Sequence, residues 1–203
     1  MKQEYSIFIL SLQFLTRIPV RSDGHYTALR MAEIPRYFPL VGALIGAAGG
    51  VVFLVAHELL SLGSAVLVCV AATVALTGAF HEDGLADTFD GVGGGTSKSR
   101  ALEIMRDSRV GTYGTLAVVV ALLLKIALLT ELPARHIPTA LILGHTVSRL
   151  SSVLVLIQGR YVRDEGAGKP VAQGLSVKST WVAVITAVLV TLLTWLLVGG
   201  VPI

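Results

Sequence analysis

The chain has 203 residues, of which 54% are hydrophobic and only 14% charged, where soluble domains carry about 25% charged residues. So large a deficit excludes an ordinary water-exposed surface and makes lipid the natural solvent. A formal charge of +3 argues neither for nor against nucleic acid, no Lys/Arg run makes a backbone-binding patch, and a single cysteine, Cys69, excludes an intramolecular disulfide.

Residues 1–36 form an N-terminal arm. Lys2 followed by the apolar stretch 7–15 has the outline of a signal peptide. Glu4, the missing A-x-A cleavage site and the Thr16-Arg17 interruption instead predict a retained hydrophobic or interfacial segment. Residues 6–15 are too few to cross a bilayer without tilt or local thinning, since a span needs about 20 apolar residues. The first full span is 38–60. Its Gly42, Gly46 and Gly50 share one helix side, a face suited to close helix contact. Leu62-Gly63 is a turn, and 64–80 returns, with Cys69 as a small buried hydrophobe. Residues 81–111 are polar. Three more spans follow at 112–130, 137–157 and 180–199. The fold class is all-α: one integral-membrane domain over 1–203, a polytopic transmembrane helix bundle with a helical or loop active-site segment at 81–111.

Basic residues set the expected orientation. The arm, the 81–111 segment and the 158–179 loop together hold 13 of the 16 Lys and Arg. The opposite side holds only Arg135, while Lys125 and Arg149 lie inside spans. The positive-inside bias therefore predicts that all three basic segments are cytoplasmic.

The most informative stretch is 80–96. Asp83, Asp87 and Asp90 stand at i, i+4 and i+7, on one helix face. Like charges so spaced cost about 0.2–0.5 kcal/mol per pair, and a bound divalent cation removes that objection. Magnesium suits carboxylates, waters and substrate phosphate oxygens. His81 is a candidate general acid or base. Gly91, Gly93, Gly94 and Gly95 either end the helix or let backbone amides approach phosphate. In the second polar stretch, Arg106 and Arg109 bracket Asp107 and Ser108. Arginine forks suit phosphate oxygens, and Gly111 and Gly114 open the next span, whose N-terminal amides also favour an anion. Within spans, Arg149 follows His145 by one turn near mid-helix, which makes it a functional candidate. Lys125 lies nearer a helix end and is expected to snorkel.

These residues resemble the cobalamin synthase family, the adenosylcobinamide-GDP ribazoletransferases of bacterial membranes. His81-x-Asp83-Gly84-Leu85-Ala86-Asp87-Thr88-x-Asp90-Gly91 looks like the family's acidic signature, and Met105-Arg106-Asp107-Ser108-Arg109-x-Gly111-Thr112 like its second. The stretches 14–20 and 38–42, Ser148-Arg149 and Arg163-x-Glu165-Gly166 are similar too. The resemblance implies a bacterial inner-membrane enzyme that uses Mg2+. It would transfer the phosphocobinamide group of adenosylcobinamide-GDP to alpha-ribazole or its 5′-phosphate, releasing GMP. It assigns catalysis to His81, Asp83, Asp87 and Asp90, with those three aspartates as metal ligands. It assigns substrate binding to Arg106, Asp107, Ser108, Arg109, Gly111, Thr112 and Arg149. The implied partners are the corrinoid-nucleotide and ribazole substrates and membrane lipid, with no nucleic acid. A homo-oligomer or association with other cobalamin-pathway enzymes is compatible with this picture. Family members usually continue with a Gly-Gly-x-Thr-Gly-Asp segment, so the sequence reads as shortened at the C-terminus. Two other classes fit the residues less well. A lipid-head-group phosphotransferase would carry D-G-x-x-A-R, and Asp83-Gly84-Leu85-Ala86-Asp87 lacks the arginine. An ion-coupled transporter would show a repeated half.

Overall fold

The computed structural model describes residues 2–21, 24–159, 161–162, 168–172 and 174–197. Among these, every regular element is helical: α1 (Lys2–Leu15), α2 (Ala28–Glu33), α3 (Phe38–His57), α4 (Leu62–Thr77), α5 (Phe80–Gly94), α6 (Lys98–Ile104), α7 (Thr112–Thr130), α8 (Ile137–Gln158), α9 (Lys169–Ala172) and α10 (Val177–Leu197). Short 3-10 turns, Ile34–Tyr37 and Ala134–His136, lead into α3 and α8. Each of these two helices has a proline in its first turn, Pro39 and Pro138, where the missing N–H costs no hydrogen bond. Among the described residues four helices are long and apolar enough to cross a membrane, or five if the bent pair α4 and α5 is one span.

α3 and α8 form the axis of the bundle, and their mutual contact is the most extensive in the molecule. The glycine stripe makes it. A Cβ on Gly46 would stand 2.5 Å from the Leu141 carbonyl oxygen, and one on Gly42 would collide with the His145 carbonyl. A Cβ on Gly50 would meet Pro138 at 3.1 Å. The two backbones are thus as close as glycine allows, which gains dispersion contact where lipid offers no hydrophobic drive. One apolar cluster, with Ile7, Leu15, Phe38, Val41 and Val153, joins α1 and α10 to this axis. The other, with Phe53, Val66, Cys69, Leu129 and Leu141, joins α4 and α7.

α1 is therefore packed into the bundle, with Ile7 and Leu15 fully buried. At 14 residues it is not among the helices that could cross alone. An ion-pair network fastens it. The buried Arg36 donates to both oxygens of Glu4 at 3.0 Å and to Glu33 at 2.6 Å. Glu33 also accepts from Ser176 at 3.2 Å and from Ser179 on α10.

Two sequence expectations need correction. The second span does not run to residue 80: α4 ends at Thr77, and α4 and α5 meet at 85°. Gly78 and Ala79 are both left-handed, at φ 66° and 57°. The first is natural for glycine. The second costs about 1–2 kcal/mol and is held by the Ala79 N–H donating to Val74 at 2.9 Å. The expected turn at Leu62-Gly63 is instead the start of α4, capped by Ser61. Of the glycines expected to end α5, Gly94 is its last residue and Gly95 its cap. Met105 packs on Gly91 and the Tyr113 ring on Gly93, each 2.6 Å from where a Cβ would sit.

Candidate active site

α5 carries the carboxylates, and its bend aims them. Asp83 is exposed to a polar cavity of about 450 Å³, lined by Gln13, Thr16, Arg17 and Thr77. Arg17 reaches it by lying across Gly78, where any side chain would collide with its Nε. Its backbone N–H is tied to the Leu76 carbonyl at 2.8 Å. Asp87, one turn beyond Asp83, is half-buried, and Asp90 is buried.

Asp90 is engaged by the protein itself. Its Oδ2 accepts the Gly111 N–H at 2.7 Å and its Oδ1 the Gly114 N–H at 2.8 Å. It therefore caps α7 from a distant helix, satisfying amides that begin every helix unpaired and facing the positive end of the dipole. The approach needs both glycines: a Cβ on Gly111 would lie 2.5 Å from Oδ1, and one on Gly114 2.7 Å from the Ala86 carbonyl. The amides expected to favour a substrate anion, those of Gly111 and Gly114, are thus turned to a protein carboxylate. Among the described residues, no group of three or more His, Cys, Asp or Glu side chains is arranged to hold a metal.

The other face of α5 carries His81 and Glu82 towards α7 and α8. With Lys125 they line a cavity of about 230 Å³. Lys125 also lines a second cavity, of about 370 Å³, with His145, Ser148 and Arg149. The snorkelling expected of Lys125 gives way to this inward placement, where the charge of Glu82 acts on both Lys125 and Arg149. Arg149 Nη1 donates to Ser148 Oγ at 2.9 Å and meets His145 Nδ1 at 3.0 Å. Arginine has no acceptor, so Nδ1 accepts and carries no proton. Four buried atoms here lack a hydrogen-bond partner: His81 Nε2, Glu82 Oε2, His145 Nε2 and Arg149 Nε. In apolar surroundings each such atom costs about 1–3 kcal/mol, so the cluster is suited to receive a polar group.

The second polar stretch stands apart. Arg109 Nε bonds both oxygens of Asp107 at 3.0 Å, and its Nη2 reaches one at 2.5 Å. That pairing holds the Asp107 carboxyl at about 2, through the Arg109 side-chain bonds first and its backbone N–H second. Arg106, Ser108, Arg109, Gly111 and Thr112 are exposed. None of the cavities described here contains them, and their link to the acidic helix is the Asp90 cap. Arg163, Glu165 and Gly166 lie outside the described residues. Sequence reasoning did not assign Gln13, Thr16, Arg17, Glu82 or Lys125 to the site. The signal for Arg17 was the charge that breaks the apolar run 7–20, and for Lys125 its position inside a span.

Residues 7–203 match the profile of the family described as Cobalamin-5-phosphate synthase. The adenosylcobinamide-GDP ribazoletransferase of Shewanella amazonensis (strain ATCC BAA-1098 / SB2B) is 43% identical over 197 residues, covering 95% of this chain and 76% of that protein. The proteins of the same name from Shewanella woodyi (strain ATCC 51908 / MS32) and Shewanella baltica (strain OS185) are 40% and 41% identical, with 94% of this chain covered in each case and 76% and 74% of theirs. No solved structure matches the chain.

Proposed function

The chain belongs to the cobalamin-5-phosphate synthase family, and on that premise we propose that it transfers the phosphocobinamide group of adenosylcobinamide-GDP to alpha-ribazole or its 5′-phosphate. The acceptor hydroxyl oxygen forms a bond to the phosphorus on the corrinoid arm. The bond from that phosphorus to the bridging diphosphate oxygen breaks, GMP leaves with the oxygen and its electron pair, and the hydroxyl proton passes to a base. The observation that carries this reading is the bend at Gly78-Ala79, which puts Asp83 and Arg17 on one polar cavity. Phosphoryl transfer asks mainly for positioning and charge neutralisation. Arg17 opposes the diphosphate charge. Asp83 and Asp87, one turn apart, would hold a magnesium ion, whose usual shell is one or two carboxylates plus waters and phosphate oxygens. Bound there, the ion supplies charge neutralisation at the phosphate oxygens. Asp90 fixes the start of α7 and with it the Arg106–Thr112 stretch. His81 is the base, and Arg149 binds substrate charge.

Incubating the purified protein with adenosylcobinamide-GDP, ribazole and magnesium should yield cobalamin and GMP. Asp83→Asn should lower kcat on the order of 100-fold, as loss of an electrostatic stabiliser of a transition state does. A wild-type protein that releases no GMP would overturn the reading. The distribution of basic residues supports a cytoplasmic position for the acidic segment, in a bacterial inner membrane. A Ser97→Cys protein in a Cys69→Ser background should resist an impermeant thiol reagent on intact cells, and labelling from outside would refute that orientation.

A further inference from the structure

We propose that the aromatic-lined cavity between α1, α3, α5, α8 and α9 is the seat of the acceptor, a flat apolar base carrying a ribose. The proposal rests on the reaction assigned above and goes on to place its second substrate. The cavity has about 450 Å³, within the range of small-molecule sites. One side is a run of rings. Phe14 stacks on Phe38 with centroids 5.9 Å apart, Phe80 meets Phe14 edge-on at 5.4 Å, and His81 meets Phe80 at 5.4 Å. A planar base is the ligand such walls recognise.

Polar groups also line it. Arg149, only 7% exposed, has an unpaired Nε, and His81 an unpaired Nε2. Ser151 and Ser152 both direct their hydroxyl protons to the Ser148 carbonyl, at 2.7 and 3.2 Å. Their oxygens therefore remain as acceptors, which suits the hydroxyls of a ribose. A riboside with its base on the rings brings hydroxyl donors to the Ser151 and Ser152 oxygens.

The neighbouring cavity with Asp83 and Arg17 has the same volume but a polar lining, and it shares the Phe14 and Phe80 walls. Two adjoining chambers thus separate a charged diphosphate from an aromatic acceptor. A lipid acyl chain could enter past Val155, which is 67% exposed. It would bring no donor to the Ser151 and Ser152 oxygens and no flat face to the rings, so the riboside is the better occupant.

The test fills the cavity from two elements, with Val155→Trp on α8 and Ala172→Leu on α9. Each should raise the acceptor KM about tenfold or more, the scale on which apolar pockets discriminate small changes in size. KM for the corrinoid nucleotide, and kcat at saturating acceptor, should stay at wild-type values. Equilibrium dialysis of the whole 203-residue chain with ribazole alone should show binding to wild type and its loss in both variants. Product formed by wild type, with acceptor KM and ribazole binding unmoved in two folded variants, overturns the subsite and leaves the reaction standing. Ribazole binding lost on filling the cavity, with no product from wild type, supports the subsite and overturns the reaction.

Discussion

α3 and α7 look alike in sequence and behave oppositely in the fold. The span ending at His57 and the span Thr112–Thr130 have mean hydropathies of 2.2 and 2.1, yet half of the first is buried against 6% of the second. Hydropathy chooses the solvent, and small residues choose the partner. The stripe on α3 lets α8 approach to backbone contact, whereas α7 presents Val120, Leu123, Leu124 and Leu128 outward. α7 is positioned by its ends, through the Asp90 cap at one and the buried Leu129 at the other.

The strongest way to break this contrast is volume. Gly46→Leu should abolish the folded protein, because its Cβ meets backbone at 2.5–2.8 Å that cannot yield. The cost should exceed the about 1–3 kcal/mol of ordinary overpacking. Val120→Leu, an equally apolar addition on α7, should stay within about 0.5 kcal/mol of wild type. Thermal melts in detergent decide it, and equal melting temperatures for the two variants would end the distinction.

A middling effect is expected at the end of α7. Asp90→Asn loses the charge-assisted bonds and should cost about 1.5–3 kcal/mol without moving the magnesium concentration for half activity. Asp83→Asn should do the reverse. A raised magnesium requirement in Asp90→Asn at unchanged stability would instead make Asp90 a metal ligand.

The smallest effect belongs to Asp107. Its folded pKa, about 2, lies below the ordinary 3.8. Its pairing with Arg109 is therefore complete above the usual carboxylate range and is lost only as pH falls towards the folded value. Exposed pairs contribute little, so the melting temperature of Asp107→Asn should track wild type at every pH from neutral down to about pH 5. A divergence within that window would show a pair more deeply embedded than its exposure indicates.

The features legible in the sequence are those carried by local periodicity. The apolar stretches located the spans, the four-residue glycine spacing foretold the contact face of α3, and the one-turn spacing of His145 and Arg149 placed both on one cavity. The partners of polar residues were not legible. Asp90 and Gly114 are 24 positions apart, and nothing in either segment names the other. Glu82 sits within the acidic run, yet its charge acts on Lys125 and Arg149 in distant spans. Ala79 is no residue that advertises a left-handed bend. Such pairings exist only once helices dock, so they belong to tertiary structure.

The bend also makes bilayer thickness a variable of the reaction. α4 has 16 residues, a rise of about 24 Å against a hydrocarbon core of about 30 Å, and the chain turns aside before making up the difference. If α4 crosses alone, lipid thins around it at a cost of fractions of a kcal/mol per Å. Shorter-chain lipids should relieve that mismatch and longer ones draw Asp83 away from headgroup water. The composition of the host membrane would then tune the enzyme without touching a residue.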